Sequence, residues 1–125
     1  MIKIIRLQVF LATALSCHQL SAASIARIWN EQNLAAIRLD FPNPPVHARN
    51  LFHTSVAMWD AWAAYGNKAI GYLHNETATA VDVTAARHEA ISYAAYRVLT
   101  HRYALSVNAR NTLAALETHL ASLGY

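Results

Sequence analysis

Twenty residues from Val46 to Tyr65, VHARNLFHTSVAMWDAWAAY, constrain the fold more than any other stretch, because they read as one helix that is apolar on almost every side. Leu51, Ser55, Met58, Trp62 and Tyr65 follow one three-or-four spacing, and Ala48, Phe52, Val56, Trp59 and Ala63 follow a second. A helix of this kind needs packing partners on more than one side. Set into it are Arg49, His53 and Asp60, at steps of four and seven that align them along one stripe. Away from water each of these groups needs a hydrogen-bonding or ionic partner. The segment is therefore expected to be the buried axis of an all-helical assembly.

The flanking sequence supplies its partners. Ser24 is placed to cap a helix running to about Asp40, with Ile25, Ile28, Trp29, Ala35, Ala36 and Leu39 as its apolar stripe. The prolines of FPNPP, residues 41–45, stop that helix, since they lack backbone donors and push the preceding residues into extended conformations. Gly66-Asn67 is expected to close the central helix, with a residue free to turn left-handed. Residues 66–82 read as a surface loop, rich in Gly, Asn and small residues. A third helix is expected from Val83 to Tyr103, capped by Asp82 or Thr84. Ala90, Ile91, Ala94, Ala95, Val98 and Leu99 give it a face small enough for close helix approach. A fourth helix follows a cap at Ser106 or Asn108, shows a stripe of Leu113, Leu116, Leu120 and Leu123, and ends at Gly124. The fold class is all-α, with about four helices.

Apolar residues make up 55% of the chain and charged residues 14%, which excludes a disordered polymer. Two of the three net positive charges lie at the front. Residues 1–23 have the form of an export signal: Lys3 and Arg6, an apolar run from Leu7 to Leu15, then the small residues Ser21 and Ala23. That run is too short for a permanent membrane anchor. Cleavage after Ala23 would remove two of the ten basic residues and none of the seven acidic ones, so the formal charge falls from +3 to +1. Such a balance gives no basis for nucleic-acid or anionic-membrane binding. The single cysteine, Cys17, lies in the leader and lacks a proper lipobox, so residues 24–125 would be secreted or periplasmic and free of disulfides.

Six histidines follow the leader, yet their spacing matches neither HExxH, nor Glu-x-x-His, nor CxxCH. They are expected to be structural, and a metal-binding bundle using His53 and Asp60 is the alternative. For Arg49, His53 and Asp60 two readings stand: a general acid, base or anion contact, or an internal polar stripe in which Asp60 binds arginine or backbone donors of a neighbouring helix. The second is preferred, because no nucleophile, phosphate loop or GxSxG elbow accompanies them. Trp29, Trp59 and Trp62 read as core aromatics.

Trp29-Asn30, then His47-Ala48-Arg49-Asn50-Leu51-Phe52-His53, then Met58-Trp59-Asp60-Ala61-Trp62-Ala63-Ala64-Tyr65 together resemble the N-terminal helical region of the vanadium-dependent haloperoxidase family, within the superfamily shared with type 2 phosphatidic acid phosphatases. Residues Arg87 to Tyr96 are similar to the helix that follows in bacterial members. The resemblance implies a secreted helical enzyme that holds vanadate, or in the phosphatases acts on a phosphoryl group, through oriented donors around an oxyanion. The family's signature of a lysine followed by Arg-Pro, then Pro-Ser-Gly-His, then Ser-Arg with a downstream histidine has no counterpart here. No catalytic, cofactor-binding or metal-binding residue is therefore carried over, and vanadate is implied for the parent family alone.

The expected function is the non-catalytic N-terminal structural portion, residues 24–125, of a haloperoxidase-like or phosphatase-like protein. Its expected partner is the C-terminal helical part, in the same protein or on a separate chain, with apolar surface of the central helix left uncovered until that part docks. The alternative is a self-sufficient periplasmic helical binding or adaptor module that uses the aromatic surface around Trp29, Trp59 and Trp62.

Overall fold

The computed structural model describes residues 23–125, so the expected leader and Cys17 fall, apart from Ala23, outside the described residues. Four helices follow in order: α1 (Ile25–Leu39), α2 (Pro44–Ala63), α3 (Val83–Tyr103) and α4 (Ala109–Ser122). The all-α class and the element order agree with the hydrophobic periodicity. No helix among the described residues is long and apolar enough to cross a membrane.

The helix ends show how local chemistry sets the boundaries. Ser24 Oγ accepts from the Arg27 amide and Asp82 Oδ1 from the Ala85 amide, each satisfying a first-turn donor. α2 begins two residues earlier than the prolines suggested: Asn43 caps it and Pro44 and Pro45 lie within its first turn, where a missing N–H costs nothing. Gly124 is the glycine with positive φ, at +89°, and it ends the chain's last helix. Gly66, expected to turn left-handed, does not. Its smallness serves a different purpose, because a Cβ there would lie 2.8 Å from a guanidinium nitrogen of Arg87. That arginine closes α2 instead: Nε donates to Trp62 O and Nη2 to Tyr65 O, both at 3.1 Å, and the guanidinium lies 4.4 Å from the Trp62 ring centre.

Within these residues the packing axis is α3 and not α2. α1 and α3 each touch all three other helices, α3 the more extensively, whereas α2 touches α1 and α3. Arg87, near the start of α3, meets the end of α2, while Arg102, near the end of α3, meets His53, so the two helices run antiparallel. The core is built around Trp29, Leu99, Tyr103 and Leu116, each at most 1% exposed. Burying a side chain such as Leu99 or Leu116 stabilises the fold by about 2 kcal/mol.

The face that α2 turns inward is not the one its apolar spacing suggested. Asn50, Thr54 and Met58, at i, i+4 and i+8, are buried, while Phe52 and Trp59 stay about half exposed, at 53% and 47%. The inward face of α1 likewise includes fully buried Asn33 between Trp29 and Ala36, while Leu39 is 48% exposed. A polar network offsets the cost of burying Asn33 and Thr54: Tyr103 Oη donates to Asn33 Oδ1 at 2.8 Å, Asn33 Nδ2 to Thr54 Oγ1 at 3.3 Å, and Thr54 Oγ1 to the Asn50 backbone O at 2.8 Å. It ties α1, α2 and α3 together through groups that would be costly to bury unpaired. Burial pushes the Tyr103 phenol above its ordinary value, partly opposed by the Asn50 side chain.

Candidate functional site

Residues 66–82 form the loop that joins α2 to α3, and its path depends on Asp60. The Asp60 side chain is 7% exposed. Its carboxylate accepts from three successive backbone amides: Tyr72 on Oδ1, then Leu73 at 3.0 Å and His74 at 3.2 Å on Oδ2. Burial pushes the carboxyl up, but these amides and the nearby His74 outweigh it and hold the group below its ordinary value of 3.8. Gly71 is required at the turn, since a Cβ there would sit 1.7 Å from His74 O. Trp59 Nε1 donates to Ile70 O at 3.0 Å and Ala78 N to Ala64 O at 2.8 Å, which pins the loop along α2.

With the loop held there, an open groove of about 880 Å³ lies between three elements. α2 contributes Val56, Ala57 and Ala61, with Ala64 at its C-cap; α3 contributes Ala94 and Val98, and the loop contributes Tyr72 and Leu73. Tyr72 and Leu73 are 65% and 69% exposed, and Phe52 at the mouth lies edge-on to Tyr72 with ring centres 6.0 Å apart. The charged lining is uneven. His53, Arg97, His101 and Arg102 come from the first half of α2 and the end of α3. Glu76 sits at the other end, where it also borders Ala63, Ala64 and Gly66.

His53 lies in the cationic part, where Arg102 Nη2 donates to its Nδ1. Because arginine has no acceptor, His53 takes the tautomer with its proton on Nε2. Its pKa is lowered from the ordinary 6.5, first by burial and then by the charges of Arg102 and Arg49. The imidazole is thus a neutral acceptor near pH 7.

The polar stripe of α2 is therefore divided. Arg49 is exposed and does not line the groove, His53 pairs with Arg102, and Asp60 grips the loop. Asp60 does find backbone donors, but they come from the loop, not from a neighbouring helix. The three tryptophans do not share a surface. Trp29 is 0% exposed and lies T-shaped against His119 of α4 at 5.0 Å, while Trp59 stacks at 5.3 Å on Trp62 beside Arg87. Gly71, Asn33 and Thr54 were not singled out in the sequence, and Arg87 stood there only at the head of the Arg87–Tyr96 stretch.

Among the described residues, no cluster of three or more His, Cys, Asp or Glu side chains is gathered to hold a metal ion. The three converging amides of the loop are already taken by the Asp60 carboxylate, and no lysine lines the groove. Comparison with known proteins adds no family: no family model, curated protein or solved structure matches the chain.

Proposed function

We propose that residues 24–125 are the front helical portion of an exported haloperoxidase-like protein, a non-catalytic part that positions one side of a larger bundle. In this reading the oxyanion chemistry of the parent, peroxidase or phosphatase, is built by polypeptide outside these four helices. The observation that supports it most is the groove. Its alanine and valine floor and the half-exposed Phe52 form apolar surface on a helix that is apolar on almost every side, as expected of a helix with a further packing partner. The interior network from Asn33 to Tyr103 gives that face a rigid support.

The purified chain tests the reading directly. Saturable binding of a hydrophobic dye at the groove is expected, together with self-association that rises with concentration. A monomer that melts cooperatively and takes up no dye overturns it. The family assignment is tested separately by the coding sequence around the gene: in-frame or neighbouring sequence encoding Arg-Pro and Ser-Gly-His is expected, and its absence removes the haloperoxidase part.

A second reading, a self-sufficient exported binding or adaptor module, has its own support. The core of Trp29, Leu99, Tyr103 and Leu116 is sealed by the chain's own helices, and about 880 Å³ is within the range of small-ligand pockets. A stable, dye-free monomer favours this reading.

A further inference from the structure

We propose that the groove receives an amphipathic α-helix whose apolar stripe lies along α2 and which carries an acidic side chain at the end facing Arg97 and Arg102. The inference rests on the reading of the groove as a docking face and adds the chemistry of what docks. Three observations define the occupant. From Phe52 to Ala64 the α2 lining covers about 18 Å at 1.5 Å per residue, the length of a helix of about twelve residues. Between its charged ends the helical lining is Ala57, Ala61, Ala64 and Ala94 with Val56 and Val98, while Tyr72 and Leu73 flank it from the loop, so a second backbone can approach α2 and α3 closely. The groove is also polar along its length, with Arg97 and Arg102 toward one end and Glu76 at the other.

The cationic end has no carboxylate of its own to meet. Asp60 and Glu76 are the acidic residues lining the groove among the described residues, and Asp60 spends both oxygens on loop amides. Arg102 donates to His53, a neutral acceptor, and Arg97 is exposed. A glutamate or aspartate arriving there would gain charge-assisted hydrogen bonds from two guanidinium groups at a partly desolvated rim. The same arrangement would repel a lysine-bearing helix, so it selects the occupant and its direction as well as holding it.

The test uses three helical peptides of about eighteen residues with the same Leu/Ala stripe, ending in paired Glu, Gln or Lys. Each is titrated into the purified chain at low salt, with backbone NMR shifts reporting the site and sedimentation reporting oligomeric state. The Glu peptide is expected to bind about tenfold more tightly than the Gln peptide, the Lys peptide weakest, with the advantage shrinking as salt rises. In R97E/R102E the order of Glu and Lys is expected to reverse. Should that double variant lose its helical circular dichroism, R97E alone, at an exposed position, carries the comparison.

Equal binding of all three peptides, or a preference that survives the charge reversal, overturns the acidic occupant while leaving an apolar docking face. Failure of every peptide to shift groove resonances overturns both. A chain dimer that covers the groove and excludes the Glu peptide assigns the face to a second copy and overturns the proposal as well.

Discussion

Tyr103 on α3 donates its phenolic hydrogen to Asn33 Oδ1 on α1 at 2.8 Å, across 70 positions of sequence and in the interior of the bundle. The bond orients the Asn33 amide so that its nitrogen faces Thr54 of α2, and three helices share one polar joint. Removing the hydroxyl while leaving its acceptor buried is costlier than the net strength of the bond. Tyr103→Phe is expected to lower stability by about 1–3 kcal/mol in urea unfolding, without changing the slope of the transition. Unchanged stability would show that Asn33 has another donor.

Asp60 should be the group whose titration frees the loop. Its folded pKa is depressed, so its contribution is fully present above the unfolded carboxylate value and is lost as pH falls through the folded one. Amide hydrogen exchange at Tyr72, Leu73 and His74 is therefore expected to quicken at acid pH, below the ordinary 3.8, while the Tyr103 region stays protected. Asp60→Asn should bring the same loosening to neutral pH, because the amide lacks the charge and one of the two acceptor oxygens.

Gly71→Ala tests the turn itself. The added carbon would overlap His74 O, a backbone atom that cannot step aside alone, so the loop must open. A loss of about 2–3 kcal/mol is expected, with a change in Trp59 fluorescence as its bond to Ile70 O breaks. Gly66→Ala differs in kind: it meets the end of the Arg87 side chain, which can retreat at the cost of its bonds to α2.

Arg87 closes α2 with two hydrogen bonds and a stacked guanidinium, a geometry that a lysine cannot reproduce. Arg87→Met should cost about 1–3 kcal/mol. Arg87→Lys should recover only part of that loss, measured by thermal unfolding, and full recovery would reduce the role to charge alone.

His119 supplies a second pH dependence at a different window. Burial against Trp29 lowers its pKa from 6.5, so the unfolded chain binds the proton first and stability falls as pH drops below that value. His119→Phe is expected to flatten the stability profile on the acid side of neutral pH. An identical slope in the variant would place the dependence at His53, whose pKa is lowered as well.

Much of the architecture could be read from residues alone, because helix periodicity, caps and proline breaks are local signals. Ser24, Asp82 and the FPNPP break put three helix boundaries within a residue or two, and α3 runs over the span its pattern indicates. The leucine stripe of α4 also holds, with Leu116 and Leu120 buried. Which face of α2 turns inward was not legible. A helix apolar on nearly every side carries no preferred direction, so its orientation was decided by what Thr54 could bond to across the interface.

Sequence by itself thus determined the class, the number of helices and the candidate stripe Arg49, His53 and Asp60, all of them consequences of neighbours within a turn or two. Tertiary structure decided the separate fates of those three residues, the loop gathered onto Asp60, the Arg87 closure and the groove beside them. Each of these joins groups more than ten residues apart, and chain entropy leaves such pairings undetermined until packed helices bring the partners into reach.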